Sequence, residues 1–181
     1  MIVALAGRRI DAPNQEMPRF PLANVEKVRN EIRQQFQNIN ATHLVCSGAC
    51  GADLLALDVA LELDLKCCLV LPFDPERFRT VSVVDRPGDW GPLYDRVLAE
   101  ITAKHFMLVL QEEDDEAGFI AVNGAILDQA IALNQKVYQG NKPPVAMIVW
   151  NGCDRGEGDV THALMNKARD RGFKITEIST C

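Results

Sequence analysis

Short unbroken apolar runs alternate along this chain with stretches whose apolar residues recur every three or four positions. The runs "IVALAG" (2–7), "THLVCS" (42–47), "KCCLVLPF" (66–73), "HFMLVLQ" (105–111) and "VAMIVW" (145–150) read as strands. Continuous rather than alternating hydrophobicity marks strands buried on both faces. Between them, "LANVEKVRNEIRQQFQNI" (22–39) sets Val25, Val28, Ile32, Phe36 and Ile39 on one helical face. Further helices are predicted over "ADLLALDVALEL" (52–63), "PLYDRVLAEITAK" (92–104), "GFIAVNGAILDQAIALNQ" (118–135) and "VTHALMNKARDRG" (160–172). A last, weaker strand follows at "KITEIS" (174–179).

Repeated β-α units with fully apolar strands predict a mostly parallel sheet of about six strands. The expected fold class is therefore α/β: a three-layer Rossmann-like domain spanning residues 1–181, with helices on both faces of the sheet. In such sheets ligands lie outside the carboxyl ends of the strands. The stretch "DPERFRTVSVVDRPGDWG" (74–91) reads as irregular. It is long for a crossover loop and rich in Arg and Asp, so it is expected to fold over a ligand or to pair its charges internally.

Composition narrows the partners. The 181 residues are 48% apolar and 24% charged, with 19 Lys and Arg against 25 Asp and Glu, a net charge of −6. No Lys/Arg cluster marks a nucleic-acid footprint. The N-terminal run has no basic region ahead of it, and no apolar run reaches the ~18 residues of a membrane span. Six cysteines without an export signal are expected as reduced thiols in the cytoplasm. Cys46 and Cys50 are spaced C-x3-C without a second pair or a nearby histidine, so no metal site is expected. Cys50 stands out because a helix start can lower a thiol's pKa. The acidic run 112–116 reads as a solvated loop that favours the start of the following helix.

Three segments fall at strand ends where a ligand would lie. After the first strand come Gly7, which permits a sharp turn, and Arg8 and Arg9, whose forks suit a phosphate or a carboxylate. After the second comes "CSGACGAD": Ser47 and Gly48 end the strand, Gly51 and Ala52 begin a helix, and Asp53 lies in its first turn. Small residues let an anion approach free helix-start amides, although they serve close packing equally well. Asp53 could complement the helix dipole, hold a ribose hydroxyl or position an arginine. After the fifth strand, "NGCDRGEGDVTHA" repeats the logic with Gly156, Gly158, Asp159 and Thr161. Arg86 in the irregular stretch and Asn123 within an apolar helix are further candidates. Asn123 either faces the crevice or closes a core hydrogen bond.

Together, "ALAGRRID" and the Ser-Gly-x-x-x-Gly-Ala-Asp pattern of "VCSGACGADLLALDVALEL" resemble the SLOG superfamily of Rossmann-like nucleotide-binding domains. That superfamily includes the LONELY GUY phosphoribohydrolases and the bacterial DNA-processing protein that loads recombinase. The resemblance implies a nucleotide or phosphate site lined by Gly7, Arg8, Ser47, Gly48, Gly51, Ala52 and Asp53, with the glycine-rich turn 156–161 as the opposite wall. The phosphoribohydrolases carry Pro-Gly-Gly-x-Gly-Thr-x-x-Glu, whereas this chain has "GEGDVTHAL" without the glutamate. It also has "LPFDPERFRTVSVVDRPGDW", unlike either branch, which points to a separate bacterial one.

The expectation is a cytoplasmic domain that binds or senses a nucleotide-like small molecule, requires no cofactor, and acts alone or as a homo-oligomer. The alternative is an enzyme cleaving or transferring at a nucleotide's N-glycosidic bond. Asp53, Asp85 or Asp159 would then stabilise the transition state or activate water.

Overall fold

The computed structural model describes residues 1–181. Six strands, β1 (Ile2–Gly7), β2 (His43–Cys46), β3 (Lys66–Leu71), β4 (Phe106–Val109), β5 (Val145–Trp150) and β6 (Lys174–Ser179), form one sheet. Every pairing is parallel and the order is β4-β3-β2-β1-β5-β6. This is the three-layer, Rossmann-like α/β arrangement that the apolar runs predict. The chain steps outward from β1 to β4, then returns to place β5 on the other side of β1. That switch opens a crevice at the carboxyl ends of β1 and its neighbours.

On one face lie α1 (Val25–Asn38), α2 (Ala52–Glu62), α3 (Pro75–Ser82) and α4 (Trp90–Lys104), packed on Leu5, Leu44, Leu69 and Met147. On the other lie α5 (Glu116–Tyr138) and α6 (Val160–Asp170), packed on Ala4, Val45, Val70 and Ile148. α2 is buried from Ala52 through Ala60 because it lies between the sheet and α1 and α4. Its Asp58 accepts hydrogen bonds from Arg29 of α1 (2.9 Å) and Arg96 of α4 (2.6 Å), tying three helices together. Burial alone would raise the Asp58 carboxyl, but the two arginines outweigh it and hold it below its ordinary value.

The stretch 74–91 is not wholly irregular. The Asp74 side chain accepts from the Arg77 amide at 2.9 Å, and Pro75 at the first helical position has no N–H to leave unpaired, so α3 forms. The acidic run caps α5: the Asp115 side chain accepts from the Gly118 amide at 2.8 Å, which starts that helix at Glu116. At 23 residues, α5 is also the one helix long and apolar enough to cross a membrane, an exception to the run lengths read from the sequence. It packs Val122, Ile126, Leu127 and Ala130 onto the sheet.

Candidate functional site

A cavity of about 270 Å³ opens above the carboxyl ends of the central strands. Its apolar wall includes Leu5, Ile10, Phe78, Phe119, Val122 and Ile126. Five arginines line it (Arg8, Arg9, Arg19, Arg86 and Arg155) against two carboxylates, Asp11 and Asp53. A chain with net charge −6 has thus gathered positive charge at one place.

Arg8 lines the cavity, but its hydrogen bonds are made within the protein. Its Nη1 and Nη2 donate to Asp159 at 2.6 and 2.8 Å, Nη2 also to the Cys153 carbonyl at 2.6 Å, and Nε to Asn151 Oδ1 at 3.2 Å. The guanidinium stands 5.6 Å from the Trp150 ring. Arg8 therefore braces the β5–α6 turn instead of offering a free fork. Asp159 is equally occupied: its carboxylate accepts from the amides of Arg155, Thr161 and His162. Burial would raise its pKa, but the Arg8 bonds and these amides hold the carboxyl well below the usual range. It has no proton to give near neutrality.

The "CSGACGAD" turn is built by close packing. Gly51 has φ +95°, and a Cβ there would lie 2.8 Å from the Arg8 carbonyl and 2.9 Å from the Ile10 amide. A Cβ on Gly7 would meet the Ala52 Cβ at 2.2 Å. Gly48 packs against Leu69 and Tyr94. The Ala52 amide donates to the Arg8 carbonyl and the Cys50 amide to the Ser82 carbonyl. At α6 the amides of Thr161 and His162 are taken by Asp159. The amides of Cys50, Ala52, Thr161 and His162 are thus spent on the chain and are not offered to an anion. Gly48, Gly51 and Ala52 do not line the cavity, whereas Gly7, Ser47 and Asp53 do. Cys50 is fully buried and its thiol is pushed up, so it is no low-pKa nucleophile.

Gly156 and Gly158 line a separate hollow of about 180 Å³ beside Glu116 and His162. Thr161 and Asn123 reach the main cavity while also bonding inward, Thr161 Oγ1 to the Gly7 carbonyl (3.3 Å) and Asn123 Nδ2 to the Val160 carbonyl (2.7 Å). Both readings of Asn123 hold together.

Arg86 does line the cavity, joined by Arg9, which the sequence placed at the strand end without assigning it to the site. Asp85 sits between these two arginines, hydrogen-bonded to Arg9 and 3.3 Å from Arg86 Nε. It links the end of β1 to the α3–α4 loop and is not part of the cavity lining. Arg19 and Gln15 arrive on the 11–21 loop, which the periodicity left unread; Asp11 folds that loop back by accepting from the amides of Arg19 and Phe20.

Asp53 is the exceptional group. It is 8% exposed, lines the cavity, and its Oδ1 has no hydrogen-bond partner. Burial pushes its carboxyl up to about 7, against the downward pull of the Ala49 and Gly7 amides and of Arg9. Four buried side-chain polar atoms in the chain lack a partner: Arg9 Nε, Asp53 Oδ1, Arg86 Nε and Asn134 Oδ1. The first three belong to this cavity.

No protein-family model, no curated protein and no solved structure matches this chain.

Proposed function

We propose that this chain binds a nucleotide or nucleotide derivative across the carboxyl ends of β1, β2 and β5. The observation that carries the reading is the gathering around one cavity of three buried polar atoms that make no hydrogen bond, Asp53 Oδ1, Arg9 Nε and Arg86 Nε, the last 3.3 Å from Asp85 Oδ2. Buried polar groups are almost always paired, and those that are not call for an explanation such as an absent ligand. The anionic group lies on the cavity side of Arg9 and Arg86, which Asp85 holds together from the other side and whose remaining guanidinium donors suit a phosphate. The flatter, less polar part of the ligand lies against Phe78, Phe119 and Val122. The resemblance to the SLOG superfamily supports a nucleotide over other anions, and the divergent segment "LPFDPERFRTVSVVDRPGDW" supports a separate bacterial branch. Six unpaired cysteines fit a reducing cytoplasm.

A thermal-shift screen with nucleoside mono-, di- and triphosphates tests this. A ligand at 100 times its dissociation constant stabilises the fold by about 2.7 kcal/mol. Arg9→Ala and Arg86→Ala should each weaken the hit about tenfold or more, the loss of a charge-assisted contact. No shift with any phosphate, or a shift indifferent to both substitutions, overturns the reading.

One observation favours a second reading, cleavage at the N-glycosidic bond. Of the three candidate aspartates, Asp159 is saturated and Asp85 lies outside the cavity lining, whereas Asp53 combines a free oxygen with a pKa near neutrality. Ionised Asp53 would take a proton from water as that water attacks C1′, and the base would leave with the bond electrons. Release of free base from the screened nucleotides, abolished by Asp53→Asn, distinguishes an enzyme from a binding module.

A further inference from the structure

We infer that the ligand carries a hydrogen-bond donor at its buried end as well as an anionic group, and that Asp53 accepts from this donor. The inference rests on the cavity being a ligand site, as proposed above, and it narrows the class of ligand. The unpaired atoms are of opposite kinds. Arg9 Nε and Arg86 Nε are donors without a hydrogen bond, Arg86 Nε only in ion-pair contact with Asp85 at 3.3 Å; Asp53 Oδ1 is an acceptor that needs a donor. A bare oxyanion such as phosphate, pyrophosphate or a dicarboxylate would answer the arginines, leave Oδ1 unpaired and bring like charge towards the carboxylate. An organic phosphate bearing a hydroxyl or an amino group answers all three. A ligand that supplies a donor to this buried acceptor should bind about tenfold more tightly than one that does not, enough to decide between the two classes.

The surroundings of Asp53 reinforce this. The charge acting on it comes from Arg9, at the end of β1. From β2 it faces Cys46, whose thiol burial holds well above its ordinary value and therefore neutral. Arg9 donates to Asp85, so Asp53 has no ion-pair partner of its own. A donor delivered to Oδ1 favours the ionised carboxyl over the protonated one. With its carboxyl raised to about 7, Asp53 is partly protonated near neutrality, so ligand binding expels part of a proton there.

Titration calorimetry at pH 6, 7 and 8 tests the inference, with AMP, IMP, 2′-deoxy-AMP, ribose 5-phosphate and inorganic phosphate, on the intact chain and on Asp53→Asn. At pH 8 the substitution should weaken AMP about tenfold without weakening inorganic phosphate, which is relieved of a like charge. AMP affinity should rise about tenfold from pH 6 to pH 8 beyond the slope of Asp53→Asn, following the ionised fraction of a group titrating near 7. The phosphate's own titration enters both proteins equally and cancels. A specific loss with IMP assigns the donor to the exocyclic amine; a loss with 2′-deoxy-AMP and retention with ribose 5-phosphate assign it to a sugar hydroxyl. Equal AMP affinity and equal pH slope in the two proteins would show that Asp53 meets only water, and would overturn the inference while the nucleotide site stands. Binding of no phosphorylated probe would overturn both. Should Asp53→Asn not fold, AMP binding to the intact chain at pH 7 in two buffers of different ionisation enthalpy counts the protons: about half a proton released supports the inference, and none or an uptake overturns it.

Discussion

The Arg8 guanidinium holds the Asp159 carboxylate through bonds of 2.6 and 2.8 Å, with side-chain exposures of only 4% and 1%. The pair joins the end of β1 to the cap of α6 and so fixes two walls of the cavity relative to each other. Arg8→Met should leave a buried carboxylate without its cation and destabilise the fold by about 3–5 kcal/mol in denaturant titration. The pair also sets an acid limit. Asp159 has a folded-state pKa below its unfolded value, so its contribution is complete above about pH 4 and is lost as pH falls further. The wild-type denaturation midpoint should therefore fall steeply between about pH 4 and pH 2. Arg8→Met should show a shallower acid limb.

Asp53 acts in the opposite sense. Its folded pKa is raised to about 7, so ionising it opposes folding. The penalty grows from the unfolded pKa near 4 up to about 7 and is constant above that. Asp53→Asn should accordingly be more stable than wild type at pH 8, on the order of 3 kcal/mol, with the gap closing towards pH 4. A denaturant series at four pH values checks this. A substitution that stabilises the fold while weakening a ligand is the mark of a group kept for binding rather than for structure. No gain at pH 8 would mean that the carboxylate is better satisfied than its unpaired Oδ1 indicates.

The sheet was legible because its signal is regional: five runs such as "IVALAG" and "VAMIVW" have one interpretation when helical periods alternate with them along the chain. α3 was legible in principle, since "DPER" carries both its N-cap and its first-turn proline, but eight residues give too few turns for periodicity to register. The site was legible only by place. Sequence put Gly7, Arg8, Ser47, Asp53 and Thr161 near strand ends, Arg86 in the irregular stretch and Asn123 within a helix, and all seven line the cavity. It could not tell Arg8 from Arg9, adjacent residues whose side chains diverge to Asp159 and to Asp85. Which carboxylate each of two neighbouring arginines meets depends on contacts 151 and 76 residues away. Nor could it show whether glycines make room for a ligand or for the chain itself, because both uses need the same small residues.

Two glycines of one turn separate those uses. Gly51 has φ +95° and ψ −128°, and its missing Cβ would strike the Arg8 carbonyl and the Ile10 amide, backbone atoms that cannot swing aside. Gly48→Ala would press only on the Leu69 Cδ1 at 3.2 Å, the end of a side chain that can shift. Gly51→Ala should therefore cost about 2–4 kcal/mol, combining backbone strain of about 1–3 kcal/mol with the clash. Gly48→Ala should cost about 1 kcal/mol. The larger change also pushes on the segment that carries Arg9, so Gly51→Ala should weaken nucleotide binding in the fraction that remains folded, while Gly48→Ala leaves it unchanged. Denaturant titration beside the same nucleotide titration checks both. If Gly48→Ala abolished binding at little loss of stability, a ligand would be approaching the turn directly, and the packing account of these small residues would fail.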